Sequence, residues 1–293
     1  EIKGNYTIRE ISWATDSLLR EHFPQWAFLP EEERSFREQQ LAFSVDIKET
    51  EDLLDIFVPG LKIQDYSSIT GTFNSAGKKA GMDAIFPRIE YLGMSSDTLR
   101  IMLNAGSDQL ALQVNTQQFM LKEKERGDTL ELGMQGLNFD AIMINDSLLF
   151  GLGWANKGSR QRNSADIQAY YTYLNDSISE LRFTRAMAYI NDSLWRIDTA
   201  GRTLFGWRYL EFDNVRIKGG QQALSMHGKI SEAPGDTLLV SFDKWRLSNF
   251  DMLYNNYNFD LNGVIGGNFG LNNMYGLPNF FSALRIDGLE MNS

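Results

Sequence analysis

A chain of 293 residues, 43% hydrophobic and 23% charged, is long enough to bury a core without staples, and the absence of cysteine excludes a disulfide framework, a thiolate zinc site and a thiol nucleophile. The net charge of -10 has the wrong sign for displacing counterions from a phosphate backbone, so nucleic acid is not an expected partner. No window reaches the ~18 consecutive apolar residues of a membrane-spanning helix, and Glu1 does not open a signal peptide. The abrupt ends read as those of an excised piece, whose membrane anchor is expected outside it.

Helix signals are few, and the three clear ones lie in the first 60 residues. Ser12 to Phe23 carries one amphipathic stretch. Pro30 followed by Glu31, Glu32 and Glu33 places proline in a first turn and acids at the positive end of the dipole, which predicts a helix to about Leu41. Thr50 is a candidate N-cap for a third, stopped by Val58-Pro59-Gly60.

From there the period is two. Apolar residues alternate at Leu99/Ile101/Leu103, Leu110/Leu112/Val114 and Leu130/Leu132/Met134. They alternate again at Leu224/Met226/Ile230, Leu238/Val240/Phe242, Tyr257/Phe259/Leu261/Ile265 and Leu284/Ile286. In residues 257–265 only Val264 interrupts the polar face. Residues 164–175 read equally as helix or aromatic strand. Strands that are wet on one side belong to antiparallel meanders, because parallel strands between helix layers are apolar on both faces. The expected fold class is therefore mainly β: an elongated, curved antiparallel or meander sheet, groove-like, with a few short helices near the N-terminus. The polar stretch from Asn156 to Ser164 suggests two β-rich segments, 1–156 and 157–293, though one long hairpin loop explains it as well.

A triplet of Asp, Ser or Thr and an aliphatic residue recurs at Asp16, Asp97, Asp128, Asp146, Asp176, Asp192 and Asp236. Asp and Asn side chains bond their own backbone two residues on, so the triplet is expected to mark turns that open strands. It also resembles an O-glycosylation motif of exported proteins in some Gram-negative lineages.

Signals for chemistry are few. Gly71 to Lys79 has five residues, not four, between Gly71 and Gly77, and Lys79 stands where a phosphate loop needs Ser or Thr. Gly263, Gly266, Gly267 and Gly270 precede no helix, so they read as bends in strands. His22 and His227 are too isolated to argue a metal site, and no Gly-x-Ser-x-Gly elbow exists. Glu31, Glu32, Glu33 and Glu38 interleave with Arg34 and Arg37 as on a solvated helix. Trp13, Trp26, Trp154, Trp195, Trp207 and Trp245 are scattered among aliphatic strands, which suits packing better than a sugar platform. No cofactor and no catalytic residue is expected.

Four runs nevertheless share a style. They are Asn191-Asp192-Ser193-Leu194-Trp195-Arg196-Ile197, a strand entering Trp; the stretch from Phe212 to Leu224 around Lys218-Gly219-Gly220; Phe259-Asp260-Leu261-Asn262-Gly263-Val264-Ile265-Gly266-Gly267; and the Pro-led strand from Pro278 to Ile286. Leu53 to Leu61 is a fainter fifth. Together they resemble the TamB family, the inner-membrane component of the translocation and assembly module, and its AsmA-like relatives. The resemblance covers the last third of the chain well and the rest in style.

It implies a non-enzymatic periplasmic segment of an inner-membrane-anchored protein, folded as a β-taco with an apolar interior. It further implies a role in carrying phospholipid between the membranes and in outer-membrane protein and envelope assembly, with phospholipid acyl chains as ligand and an outer-membrane barrel of the TamA type as partner. On that reading the inward, lipid-facing residues are Leu224, Met226, Ile230, Leu238, Val240, Phe242, Tyr257, Phe259, Leu261 and Ile265. A secreted carbohydrate-binding β-sandwich with exposed coplanar tryptophans is the alternative, and a glycan-active enzyme with paired carboxylates the third reading.

Overall fold

The computed structural model describes residues 1–22, 37–48, 54, 56–124, 129–157, 162–175, 177–190, 192–249 and 260–292. The chain divides into two compact units, Glu1–Asp166 and Ile167–Ser293. The division falls at Asp166/Ile167 rather than at 156/157. The Asn156 N–H donates to the Asn163 carbonyl at 2.8 Å, and residues 158–161 between them lie outside the described set.

The first unit holds β1 (Ile2–Asn5), α1 (Ile8–His22), β2 (Gln40–Ile47), β3 (Lys62–Ile63), β4 (Ser67–Asn74), β5 (Lys79–Tyr91), β6 (Met94–Ala105), β7 (Leu110–Lys124), β8 (Thr129–Ile144) and β9 (Ser147–Ala155). All its ladders are antiparallel, and they join β1, β2, β4, β5, β6, β7, β8 and β9 in that order, with β3 beside β5. β10 (Ser164–Asn175) is a strand and resolves the helix-or-strand ambiguity there. The second unit continues with β11 (Ile178–Ile190), β12 (Ser193–Ile197), β13 (Arg202–Gly206), β14 (Tyr209–Gly219), β15 (Gln222–Ile230), β16 (Thr237–Arg246), β17 (Asp260–Asn272) and β18 (Asn279–Asn292). β12 and β13 share one place between β11 and β14, and β14 to β18 follow as an antiparallel meander.

The meander follows from short turns. Leu92 and Gly93 (φ 48° and 81°) join β5 to β6, and Asn145 and Asp146 (φ 46° and 60°) join β8 to β9. Two consecutive positive φ angles make the turn whose twist matches antiparallel strands.

The Asp triplets behave as expected at Asp146, Asp192 and Asp236, each directly before a strand. At the fifth, whose Asp176 lies outside the described residues, as does Asp128 of the third, the Ser177 and Ile178 N–H groups donate to Asn175 Oδ1. Asp16 and Asp97 depart from the expectation. Asp16 lies inside α1, where Arg20 one turn on binds it at 2.7 Å. Asp97 lies inside β6, held by Arg88 at 2.6 Å.

Helix α1 spans the predicted amphipathic stretch but begins earlier, at Ile8. Its start is fixed from afar: the Thr7 N–H donates to Gln39 Oε1 at 2.6 Å, and Gln39 Nε2 donates to Glu10 Oε2 at 3.0 Å. Ala14 and Leu18 pack on Leu41, Phe73, Ala105 and Leu110 to form a buried core.

The helix predicted from Pro30 to about Leu41 needs correction at its end. Residues 30–36 lie outside the described set, but residues 37–39 are not helical and Gln40–Ile47 is β2. The ladder to β4, with Leu41 opposite Phe73 and Val45 opposite Ile69, outweighs the helix propensity of the acidic run before it. Of the third predicted helix start, residues 50–53 also lie outside the described set, whereas residues 54, 56 and 57 are helical and residues 58–60 turn.

Candidate functional site

Residues directly opposite in an antiparallel ladder share a face of the sheet. In the second unit the registers line up apolar side chains in rows across five strands, β14 to β18. One row is Ile217, Leu224, Phe242, Gly267 and Leu284. The next is Val215, Met226, Val240, Phe269 and Ser282, and the third Phe212, Gly228, Leu238, Leu271 and Phe280. Leu210 opposite Ile230 begins a fourth. Four strand spacings make each five-strand row roughly 19 Å long, with rows about 6.8 Å apart.

Seven of the ten residues singled out from sequence lie on this one face: Leu224, Met226, Ile230, Leu238, Val240, Phe242 and Ile265. Leu261 belongs to β17, where its backbone pairs with Met291. Its side chain, and Tyr257 and Phe259 altogether, lie outside the described residues. Val264 falls on the opposite face, as its place in the alternation requires.

Sequence reasoning missed, as members of this face, Phe269 and Leu271 of β17, Phe280 and Leu284 of β18, the β14 members of the rows and Trp245. For β14 and Trp245 there is a physical reason. The signal was present but out of phase. Leu210 and Phe212 alternate, then Val215 and Ile217, with one extra residue between them. The structure puts a register shift there, and Asn214 has φ 55°. β16 does the same between Phe242 and Trp245, with Lys244 at φ 48°. Each bulge resets the alternation so that the next apolar residue regains the same face. Trp245 thereby lies opposite Ile265, edge-on to Trp195 at 5.5 Å, in a buried cluster with Leu247.

The first unit is ruled in the same way. Leu41, Phe73, Ala80, Ala105, Leu110, Met143 and Leu148 form one seven-strand row, covered by α1. Val45, Ile69, Ala84, Ile101, Val114, Phe139 and Leu152 form another.

Charge lies on the other face. Arg100 binds Asp83 through two hydrogen bonds of 2.9 and 2.7 Å, which hold that carboxyl below its usual range. In the second unit, buried Glu180 accepts from Arg182 at 2.8 Å and from the Tyr170 hydroxyl at 3.3 Å. Burial, then the nearby Glu180 charge, raises the Tyr170 pKa. The Tyr209 hydroxyl donates to Glu211, and that bond pushes its pKa up to about 12. Arg100–Asp83 and Tyr170–Glu180 join neighbouring strands, whereas Arg182–Glu180 and Tyr209–Glu211 each lie along one strand.

The phosphate-loop look-alike is a hairpin. Gly71 sits in β4 beneath the Phe43 ring, and the Gly77 N–H donates to Asn74 Oδ1 at 2.8 Å. Among the described residues no group of His, Asp and Glu is placed to hold a metal ion. His227 is exposed on β15, whereas His22 is buried at the end of α1. Of the tryptophans, Trp26 lies outside the described residues, Trp195 and Trp245 pack on each other, and Trp207 stands out at 87% exposure. No family model, curated protein or solved structure matches this chain.

Proposed function

We propose that this chain is a segment of a periplasmic, non-enzymatic protein of the TamB/AsmA kind, whose apolar sheet face holds phospholipid acyl chains in transit between the inner and outer membranes. The observation that carries the proposal is the ruled face of the second unit. Rows five strands long present aliphatic and aromatic side chains, interrupted only by glycine and one serine, and the ion pairs lie on the reverse. At about 0.8 kcal/mol per buried CH₂, a 16-carbon chain gains at most roughly 12 kcal/mol on such a surface. Repetition without a specific polar contact lets the chain shift from row to row. The four runs that resemble the family lie in or beside these strands, and the same resemblance supports an inner-membrane anchor elsewhere in the protein and an outer-membrane barrel partner of the TamA type.

The test is native mass spectrometry with lipid extraction, on protein purified from a membrane-containing lysate. Stoichiometric phospholipid is expected, and it is lost in the Met226→Asp/Val240→Asp double variant. Leu239→Asp, on the opposite face and already exposed, is expected to keep it. Circular dichroism on all three separates lost binding from lost folding. Wild-type protein that carries no lipid and takes up no fluorescent fatty acid overturns the reading.

A further inference from the structure

We infer that the second unit carries a headgroup site at one end of its apolar rows, where Arg208, Glu232, Trp207 and Tyr275 take a zwitterionic phospholipid by its phosphate and its ammonium group. This inference rests on the lipid reading above and adds to it which class of lipid is held, and by which end.

Three turns come to this end. Trp207 and Arg208 join β13 to β14, residues 231–236 join β15 to β16, and residues 273–278 join β17 to β18. Leu210 stands opposite Ile230 in the last apolar row before them. In an antiparallel register the next rung on the same face pairs residue 208 with residue 232. There the two side chains meet: Arg208 Nη1 donates to Glu232 Oε1 at 2.8 Å. Beyond its last row, the apolar face therefore ends in one cation and one anion side by side. The third turn reaches the same point. The Arg208 guanidinium lies 5.9 Å from the centre of the Trp207 ring and 5.7 Å from that of Tyr275. It does so although β14 and β17 stand three strand spacings apart, roughly 14 Å.

The chemistry of these groups says which headgroup fits. Arg208 is the one cation in the three turns. It gives a single N–H to Glu232, and among the described residues its Nε and Nη2 have no hydrogen-bond partner. The two side chains are 50% and 66% exposed, and an ion pair so open to water exchanges partners readily. A guanidinium binds phosphate oxygens through parallel N–H bonds. The Glu232 carboxylate and the ring faces of Tyr275 and Trp207, the latter 87% exposed, suit an ammonium group. A phosphate–ammonium headgroup thus turns one Arg–Glu contact into two contacts between opposite charges. A purely anionic headgroup satisfies Arg208 but sets its charge against Glu232. Trp and Tyr, each apolar in body and polar at the tip, also suit the level where acyl chains give way to headgroups.

Calorimetric titration of the 293-residue chain with short-chain lipids, soluble as monomers, tests the site. Dihexanoyl phosphatidylethanolamine is expected to bind at least tenfold more tightly than dihexanoyl phosphatidylglycerol. It is also expected to bind at least tenfold more tightly than glycerophosphoethanolamine, which has the headgroup without the chains. Glu232→Gln is expected to erase the preference between the two lipids, and Arg208→Gln to weaken both at least tenfold. Both substitutions lie in exposed turns and are expected to leave the circular dichroism spectrum unchanged. Both are expected to keep wild-type affinity for the uncharged fluorescent probe N-phenylnaphthylamine, which reads the apolar rows alone. If the probe binds but the two lipids bind equally, or Arg208→Gln changes neither, the headgroup site is overturned and the lipid reading stands. Glycerophosphoethanolamine that binds as tightly as the full lipid also overturns it, because the site then ignores the rows. A wild-type chain that binds neither lipid nor probe overturns both.

Discussion

Trp195 lies across Gly219, so close that a Cβ built on the glycine meets the indole at 2.5 Å. The glycine is part of the binding surface for that ring, and the ring in turn carries the edge-on contact to Trp245. Gly219→Val therefore forces Trp195 out of place, an overpacking cost of about 1–3 kcal/mol, and the altered tryptophan pair is expected as a change in near-ultraviolet dichroism alongside the fall in denaturation midpoint. Tyr209 supplies a second residue-scale outcome. Its pKa is raised to about 12 in the folded protein against an ordinary value of 10.0. The native state therefore keeps the proton that the unfolded chain releases, and stability falls as pH rises from about 10 to 12, by linkage. Urea titrations across that range are expected to show a steeper loss for the wild type than for Tyr209→Phe. Neither contact was legible from sequence. Trp195 and Gly219 are 24 positions apart, and what joins them is the ladder between β12 and β14.

At the scale of elements, alternation revealed the strands, and where it stumbled the structure shows why. In the first unit the apolar phase changes in four neighbouring strands on one transverse line. β5 passes from Met82, Ala84 and Phe86 to Ile89, and β7 passes from Leu112 and Val114 to Phe119. The residues on the line are Pro87, Thr98, Gln117 and Gly136, which the flanking registers place side by side. Pro87 has no N–H to give, Thr98 has φ 55° and Gly136 has φ 59°. Read one strand at a time these are lapses; read across the ladder they form one crease. The buried hydroxyls of Ser96 and Thr116 stitch it: Ser96 donates to Thr116 at 2.7 Å, and Thr116 Oγ1 lies 2.7 Å from the Asp97 carbonyl. Thr116→Val leaves that network short of a buried partner and is expected to cost about 1–3 kcal/mol in urea denaturation. Thr98→Asn is expected to act in the opposite direction. A β-branched residue at positive φ carries strain of about 1–2 kcal/mol that Asn largely escapes, so the same measurement should show a gain. The start of α1 was hidden for a different reason: its partner Gln39 lies 32 residues away.

At the scale of the molecule, charge and exposed apolar surface oppose each other. The net charge of -10 is spread over a chain with a sequence pI near 4.8, so copies repel at neutral pH. Exposed apolar side chains, among them Phe280, Leu284, Ile286 and Leu289, favour association of copies at high concentration. Repulsion between exposed charges is screened by salt, over about 10 Å at 0.1 M and about 3 Å at 1 M, while burial of apolar surface is not weakened. Self-association is therefore expected to strengthen as salt rises at pH 7, the reverse of an interface held by ion pairs. It is expected to strengthen again as pH falls toward 4.8, where the charge vanishes. Light scattering across both series checks the sign. If charge is the restraint, the two series agree when plotted against screened net charge, and Phe280→Lys/Leu284→Lys flattens both. Scattering that falls with added salt means that ion pairs hold the copies together, and exposed apolar surface is then not what joins them.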